Sequence, residues 1–121
     1  MGTTHADYFL GAVPCTRRLK EEETSCEYEK NTGLVIAEAF QGKDPLATPG
    51  ILVRNHGPFT WGKSPYDAVY NAVVLEQIAF MNWHAEIIAD NISDCPDYII
   101  TKHYYRKHGK NAYYGQMKQS T

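Results

Sequence analysis

The sequence predicts one α/β or α+β domain over residues 1–121, because it contains one strand pattern and two helix patterns. Residues 51–55 have the apolar, β-branched composition of a strand, and the segments 64–89 and 94–108 carry helical signals. Hydrophobic residues make up 43% of the chain and charged residues 21%, which is typical of a globular domain. A chain of this length can bury one hydrophobic core.

Charge and cysteine content exclude several classes of protein. The 12 basic and 14 acidic residues give a net charge of -2, which argues against a general binder of nucleic acid or anionic membranes. No apolar run approaches the ~20 residues of a membrane span, and residues 1–9 lack the pattern of a secretory signal. The 3 cysteines lack paired spacing, so we expect reduced thiols and a cytoplasmic location.

The first part of the chain predicts a short strand, a helical segment and a loop. Residues 7–13 are apolar and bounded by turn residues, which favours a strand. Residues 21–41 open with glutamates suited to the positive end of a helix, and apolar residues then recur at helical spacing. Gly33 is the point where we expect an interruption. The Gly- and Pro-rich stretch 42–50 predicts a loop.

A strand pair, or one bent strand, is predicted to carry a histidine at its corner. Residues 51–55 form the first strand, residues 59–61 resume it, and His56 lies between them. A histidine at a strand end can present its ring to a ligand or a metal, although a structural role is more common. The sequence contains no Cys-x-x-Cys, His-x-His or His-Glu-x-x-His motif, so a metal at His56 requires other ligands from elsewhere.

Two helices follow. Ser64 suits an N-cap and Pro65 the first helical position of a helix over 64–89. Its predicted apolar face consists of Val69, Val73, Phe80, Trp83 and Ile87, with Glu76 as the one carboxylate in it. A second helix over about 94–108 is predicted to end at Gly109.

The C-terminal part and the first residues hold further candidates. The basic side chains Lys102, His103, Arg106 and Lys107 either bind phosphate or form a solvated helix end that complements the helix dipole. The paired Tyr113 and Tyr114 predict a tail that docks on its own domain or on a neighbouring subunit, followed by a frayed end at 117–121. Asp7 is either a general acid/base or an ordinary turn aspartate, and Tyr114 is either a proton donor or a packing residue.

Several stretches resemble the L-ribulose-5-phosphate 4-epimerases of the class II aldolase and adducin superfamily. They are residues 2–9 (GTTHADYF), 13–17 (VPCTR), 56–63 (HGPFTWGK), 102–109 (KHYYRKHG) and 112–116 (AYYGQ). The third of these is similar to the family's second zinc-binding segment, and the last two are similar to its C-terminus. The resemblance implies an α/β, class II aldolase-like fold with a central β-sheet flanked by helices, of which this chain is the C-terminal portion.

The resemblance also implies an activity. It is the zinc-dependent interconversion of L-ribulose 5-phosphate and D-xylulose 5-phosphate in the cytoplasm, a step of arabinose or ascorbate use. Because a C4 hydrogen is not acidic, the family breaks and re-forms the C3–C4 bond instead. Zinc on the C2 and C3 oxygens stabilises the enediolate as a Lewis acid, and an acid/base group is needed at the C4 oxygen on each face.

Position by position, the resemblance implies that His56 is a zinc ligand and that Asp7 is one catalytic acid/base. Tyr114 matches the other acid/base, which in the family comes from the adjacent subunit of a homotetramer. Three substrate-proximal residues are also implied, namely Thr3, Glu29 and His103, the last again from the neighbour.

The chain resembles only the C-terminal half of the family's domain. The family's His-x-His zinc pair and its phosphate-binding serine and glycine segments have no counterpart here, so we expect the 121 residues to be inactive alone. One alternative is a related class II aldolase that cleaves a sugar phosphate without re-addition. The other is a non-catalytic interaction module like the adducin heads, against which the joint presence of Asp7, His56 and Tyr114 argues.

Overall fold

The computed structural model describes residues 1–116, which form five helices and a two-stranded sheet. The predicted frayed end at 117–121 lies outside the described residues. The elements are α1 (Thr3–Ala6), α2 (Glu21–Ser25), α3 (Tyr28–Ala39), β1 (Gly50–Val53), β2 (Gly57–Thr60), α4 (Pro65–Ile88) and α5 (Asp97–His108). Helices around a small antiparallel sheet are consistent with part of the predicted α/β fold. Within residues 1–116, no helix combines the length and apolarity needed to cross a bilayer.

β1 and β2 form an antiparallel hairpin, which confirms the predicted strand pair. The register places Gly50 opposite Thr60. Asn55 adopts a φ of 64° in the turn, a left-handed conformation that asparagine tolerates, and the exposed His56 follows it. A Cβ atom at Gly50 would lie 3.3 Å from Cε1 of Phe9, so glycine allows β1 to lie close to the core.

The strand predicted over residues 7–13 is wrong. α1 ends just before this segment, and Gly11 then turns the chain with a φ of 95°. Strand-like pairing occurs later, in a single parallel bridge between Cys15 and Leu52. The apolar composition of this segment does indicate burial, because Phe9 is fully buried. Phe9 lies, however, in a part of the chain without regular secondary structure.

The first long helix predicted from the sequence is divided in two. α2 and α3 are separated at Glu27, whose φ of 47° is incompatible with a helix, whereas Gly33 lies inside α3 without interrupting it. Arg17 lies beside the two helices and forms one ion pair with each, to Glu23 at 2.8 Å and to Glu38 at 3.0 Å. These tertiary contacts favour the divided arrangement.

The bounds of α4 agree with the prediction. Oγ of Ser64 accepts a hydrogen bond from the backbone N–H of Asp67 at 3.1 Å, and Pro65 occupies the first helical position. At 24 residues α4 is about 36 Å long.

The predicted apolar face of α4 is wrong. The residues that α4 buries are Val74, Leu75 and Ile78, which form a core cluster with Phe9. The side chains predicted to face the core are instead more than half exposed, namely Val69, Val73, Phe80, Trp83 and Ile87, and Glu76 is exposed with them. The helix has apolar residues on two faces, and the contact with Phe9 and the hairpin decides which face lies inside.

α5 and the residues after it fold back onto the N-terminal end of the chain. The predicted helix and its end at Gly109 are confirmed, and α1 is the main element that α5 packs against. The backbone N–H groups of Tyr113 and Tyr114 both donate to the carbonyl of Arg106, at 2.9 and 3.1 Å. The aromatic tail therefore docks on its own chain in this structure.

A matched pair of substitutions on α4 tests which face is buried. Ile78 is 2% exposed and Ile87 is 61% exposed. We expect Ile78→Ala to lower the free energy of unfolding by about 2–5 kcal/mol, because it removes core contacts and leaves a cavity. Ile87→Ala should change it by less than about 0.5 kcal/mol. Urea unfolding at low protein concentration measures both, and equal losses would contradict the described face.

Candidate active site

Asp7 is placed at the end of α1 with its carboxylate towards α5. Its backbone N–H donates to the carbonyl of Thr3 at 2.9 Å, which fixes the residue as the C-cap of the short helix. Its side chain is 13% exposed. A carboxylate this far from water requires partners, and α5 supplies them.

Three cationic or hydrogen-bonding side chains of α5 converge on Asp7. His103 Nδ1 lies 3.0 Å from Oδ1, and Nη2 of Arg106 donates to Oδ1 at 3.0 Å and to Oδ2 at 3.1 Å. Nζ of Lys107 lies 3.3 Å from Oδ2. The three residues stand at positions i, i+3 and i+4, which place them on one helix face. In addition, Nε2 of His108 lies 2.8 Å from the Asp7 carbonyl oxygen, to which it donates.

These partners keep Asp7 ionised. Burial raises the pKa of Asp7, but the hydrogen bonds from His103, Arg106 and Lys107 outweigh it, and the net pKa lies below its ordinary value of 3.8. Asp7 is therefore a carboxylate at neutral pH and can accept a proton or a hydrogen bond.

Tyr114 joins this group through Arg106. The guanidinium carbon of Arg106 lies 4.2 Å from the centre of the Tyr114 ring, within the range of a cation–π contact. The backbone N–H of Tyr114 also donates to the carbonyl of Arg106, so the two residues are joined by a side-chain and a main-chain contact. Three of the predicted site residues, Asp7, His103 and Tyr114, are thus brought together in one cluster within a single chain.

Two further tyrosines border the cluster. Nζ of Lys107 lies 4.2 Å from the centre of the Tyr8 ring. The hydroxyls of Tyr8 and Tyr70 share a hydrogen bond of 3.0 Å, and this bond, followed by burial, raises the pKa of Tyr70 to about 12. Tyr70 therefore stays protonated and structural at neutral pH, and it links α4 to the cluster.

His56 lies outside this cluster. It is exposed in the turn of the hairpin, with its ring centre 6.3 Å from that of Tyr28 and 5.2 Å from that of Phe59. Glu29 is exposed in the first turn of α3, and no contact joins it to Asp7 or to His56 among the described residues. Thr3 is exposed at the start of α1 and meets Asp7 only through the main-chain hydrogen bond already described.

The metal site implied for His56 is not complete in this chain. Among the described residues, no three His, Cys, Asp or Glu side chains lie close enough together to hold a metal ion. One exposed imidazole does not form a zinc site, because zinc takes three or four protein ligands. The residues present therefore do not fit zinc by themselves.

Arg106 and Lys107 are the members of the Asp7 cluster whose role was not predicted. Their position at the end of the helix was predicted, with either phosphate binding or dipole complementation as their role. Neither role includes the contact that each of the two side chains makes with Asp7. Only the spacing of His103, Arg106 and Lys107 could have indicated a shared face, and nothing in the sequence indicates that Asp7 opposes it.

Comparison with known proteins shows which family and which relatives this chain is similar to. The family profile described as Class II Aldolase and Adducin N-terminal domain matches residues 1–83. Over 116 residues the chain is 58% identical to proteins named L-ribulose-5-phosphate 4-epimerase UlaF from Salmonella typhi and from Salmonella choleraesuis (strain SC-B67). The alignments cover 96% of this chain and 51% of each relative, so the chain spans about half the length of these relatives.

The Asp7 cluster predicts a specific dependence of stability on pH. Because the pKa of Asp7 is lower in the folded chain than its ordinary 3.8, the ionised group adds stability above that value, which is lost as pH falls through the folded pKa. We expect Asp7→Asn to lower stability at neutral pH and to remove this loss in acid.

Urea unfolding of the two proteins between about pH 2 and pH 7 measures the difference. Glu23, whose pKa the hydrogen bonds from Arg17 lower to about 2, contributes equally to both curves. The difference between the curves therefore isolates Asp7, and parallel curves would contradict its pairing.

Proposed function

The chain belongs to the class II aldolase and adducin family, and from this premise we propose that it forms the C-terminal half of an L-ribulose-5-phosphate 4-epimerase. The relatives that bear this name are 58% identical to it. The observation that carries the proposal is the assembly of Asp7, His103 and Tyr114 around Arg106. The proposed substrates are L-ribulose 5-phosphate and D-xylulose 5-phosphate, and the proposed location is the cytoplasm.

In the proposed reaction, Asp7 and Tyr114 move protons at the C4 oxygen of the sugar. When the C3–C4 bond breaks, the C4 hydroxyl becomes an aldehyde and its proton goes to a base, while the electron pair stays on the three-carbon fragment. When the bond re-forms on the other face of the aldehyde, the C4 oxygen takes a proton from an acid. The ionised Asp7 suits the first role in one direction and the Tyr114 hydroxyl the second.

We propose zinc as the cofactor, with His56 as one ligand and Glu29 and Thr3 as residues close to the substrate. The support for His56 is its position at the hairpin turn, where its ring is exposed. The described residues do not complete a zinc site, so the proposal requires ligands from a second polypeptide segment. This requirement makes zinc affinity a direct test of whether the chain works alone.

We also propose a homotetramer with the site at subunit interfaces. The exposed apolar side chains of α4 support the association, because a single folded chain rarely leaves such a surface in water. Residues 89–96 join α4 to α5 without regular structure. Such a connection permits α5 and Tyr114 to pack on the α1 of a second copy with the same contacts that they make here.

A non-catalytic interaction module is the second candidate. The same exposed face of α4 and the incomplete set of metal ligands favour it. A class II aldolase that releases glycolaldehyde phosphate and dihydroxyacetone is distinguished from the epimerase by its products alone.

A chimera tests the proposal. The half of the Salmonella typhi relative that this chain does not match is joined ahead of residue 1, and the product is assayed with zinc. We expect D-xylulose 5-phosphate to form from L-ribulose 5-phosphate, whereas the 121-residue chain alone gives no turnover. Accumulation of glycolaldehyde phosphate and dihydroxyacetone would identify an aldolase, and a folded, zinc-loaded chimera without turnover would support the interaction module.

Two tyrosines that are neighbours in sequence provide a matched test of the acid/base assignment. In the chimera, we expect Asp7→Asn and Tyr114→Phe each to lower kcat by about 10²–10⁴-fold with zinc still bound, because each removes one proton carrier. Tyr113→Phe, which alters an exposed ring near Lys102, should leave kcat unchanged. Normal turnover in either of the first two variants would remove that residue from the mechanism.

Mixing inactive variants tests which chain supplies Tyr114. If α5 is exchanged between copies, Asp7→Asn and Tyr114→Phe subunits of the chimera should regain part of the activity when they are mixed. Some mixed sites then contain both native groups. If mixing is verified and no activity returns, Asp7 and Tyr114 act within one chain, as they are placed here.

A further inference from the structure

We propose that Arg106 is a positioning residue that holds the Asp7 carboxylate and the Tyr114 ring in one fixed relation. The inference rests on the proposed function, in which these two residues are the acid/base pair. Nothing in the family match or in the names of the relatives assigns Arg106 a role.

The contacts of Arg106 connect the two residues directly. One guanidinium nitrogen, Nη2, donates to both Asp7 oxygens at 3.0 and 3.1 Å. The same group lies over the Tyr114 ring, with 4.2 Å between the guanidinium carbon and the ring centre. Its main-chain carbonyl accepts from the Tyr114 N–H at 3.1 Å.

A general folding role explains these contacts less well. Nε of Arg106 is buried and has no hydrogen-bond partner among the described residues, which costs free energy. The side chain is therefore not placed to complete its own hydrogen bonds. Its position follows from the carboxylate on one side and the aromatic ring on the other.

Lys107 offers a comparison within the same helix. Its Nζ lies 3.3 Å from Oδ2 of Asp7 and 4.2 Å from the centre of the Tyr8 ring, but 5.7 Å from that of Tyr114. Lys107 therefore contributes charge to Asp7, and its cation–π contact with Tyr114 is longer than the 4.2 Å contact of Arg106. A planar guanidinium presents several N–H donors and a flat face, whereas an ammonium is a compact point charge, so lysine does not reproduce both Arg106 contacts with the same geometry.

Carboxyl and ring NMR of the 121-residue chain, labelled at Asp and Tyr, tests this assignment without any activity. We expect Arg106→Gln to raise the pKa of Asp7 and to shift the Tyr114 ring resonances. Lys107→Gln should raise the pKa of Asp7 and leave Tyr114 nearly unchanged, and the control Lys110→Gln, at an exposed position of the same segment, should change neither. A folded Arg106→Gln chain with both signals unchanged would overturn the proposal.

Arg106→Lys keeps the test decisive if the glutamine variant does not fold. Because lysine retains the charge, the Asp7 pKa should stay low, while the Tyr114 resonances should move because the stacking is lost. Unchanged Tyr114 resonances in this variant would overturn the positioning role.

The epimerase chimera supplies the kinetic readout. We expect Arg106→Lys to lower kcat by on the order of 10²-fold with little change in KM, because the acid/base pair is misplaced rather than removed. In Arg106→Gln the acid limb of the pH profile should also move to higher pH. Unchanged kcat and pH profile in an active chimera would refute the proposal, whereas an inactive parent chimera refutes only the proposed function and leaves the NMR result to decide.

Discussion

The ion cluster between Asp7 and α5 is the interaction on which the C-terminal part of this protein depends. α5 has α1 as its main packing partner, and the connection from α4 is irregular over residues 89–96. A half-buried carboxylate with three partners on one helix face sets both the position and the rotation of that helix. Removing Asp7 would leave its cationic partners without this counter-charge, so the packing of α5 depends on this one carboxylate.

The same cluster connects structure to the proposed chemistry. A carboxylate with a depressed pKa is a stable ion rather than a strong base, so Asp7 needs its partners to loosen or a substrate hydroxyl to approach closely before it can accept a proton. His103 and Arg106 therefore both hold Asp7 and limit its basicity. Perturbed pKa values are found in structural ion pairs as well as in active sites, and the aromatic ring of Tyr114 above Arg106 is what distinguishes this cluster from a simple pair.

Two features of the chain point beyond its own residues. The exposed apolar side chains of α4 and the solitary His56 each lack, within residues 1–116, the surroundings that such groups usually have. Both are features that a second polypeptide segment or a second copy would complete. The predicted site residues are thus divided in this structure between the assembled Asp7 cluster and an isolated histidine.

The sequence by itself determined the local elements and the identity of the candidate residues. Ser64 and Pro65 fixed the start of α4, the hairpin followed from its apolar runs, and the resemblance selected Asp7, His56 and Tyr114, because caps, turns and motifs depend on neighbouring residues. Only the tertiary structure decided that α4 buries Val74, Leu75 and Ile78. It also decided that the helix after residue 20 divides at Glu27 and that Arg106 joins Asp7 to Tyr114. These outcomes depend on contacts between residues far apart in the chain, such as Asp7 and Arg106, and local spacing carries no information about which distant surface a residue will meet.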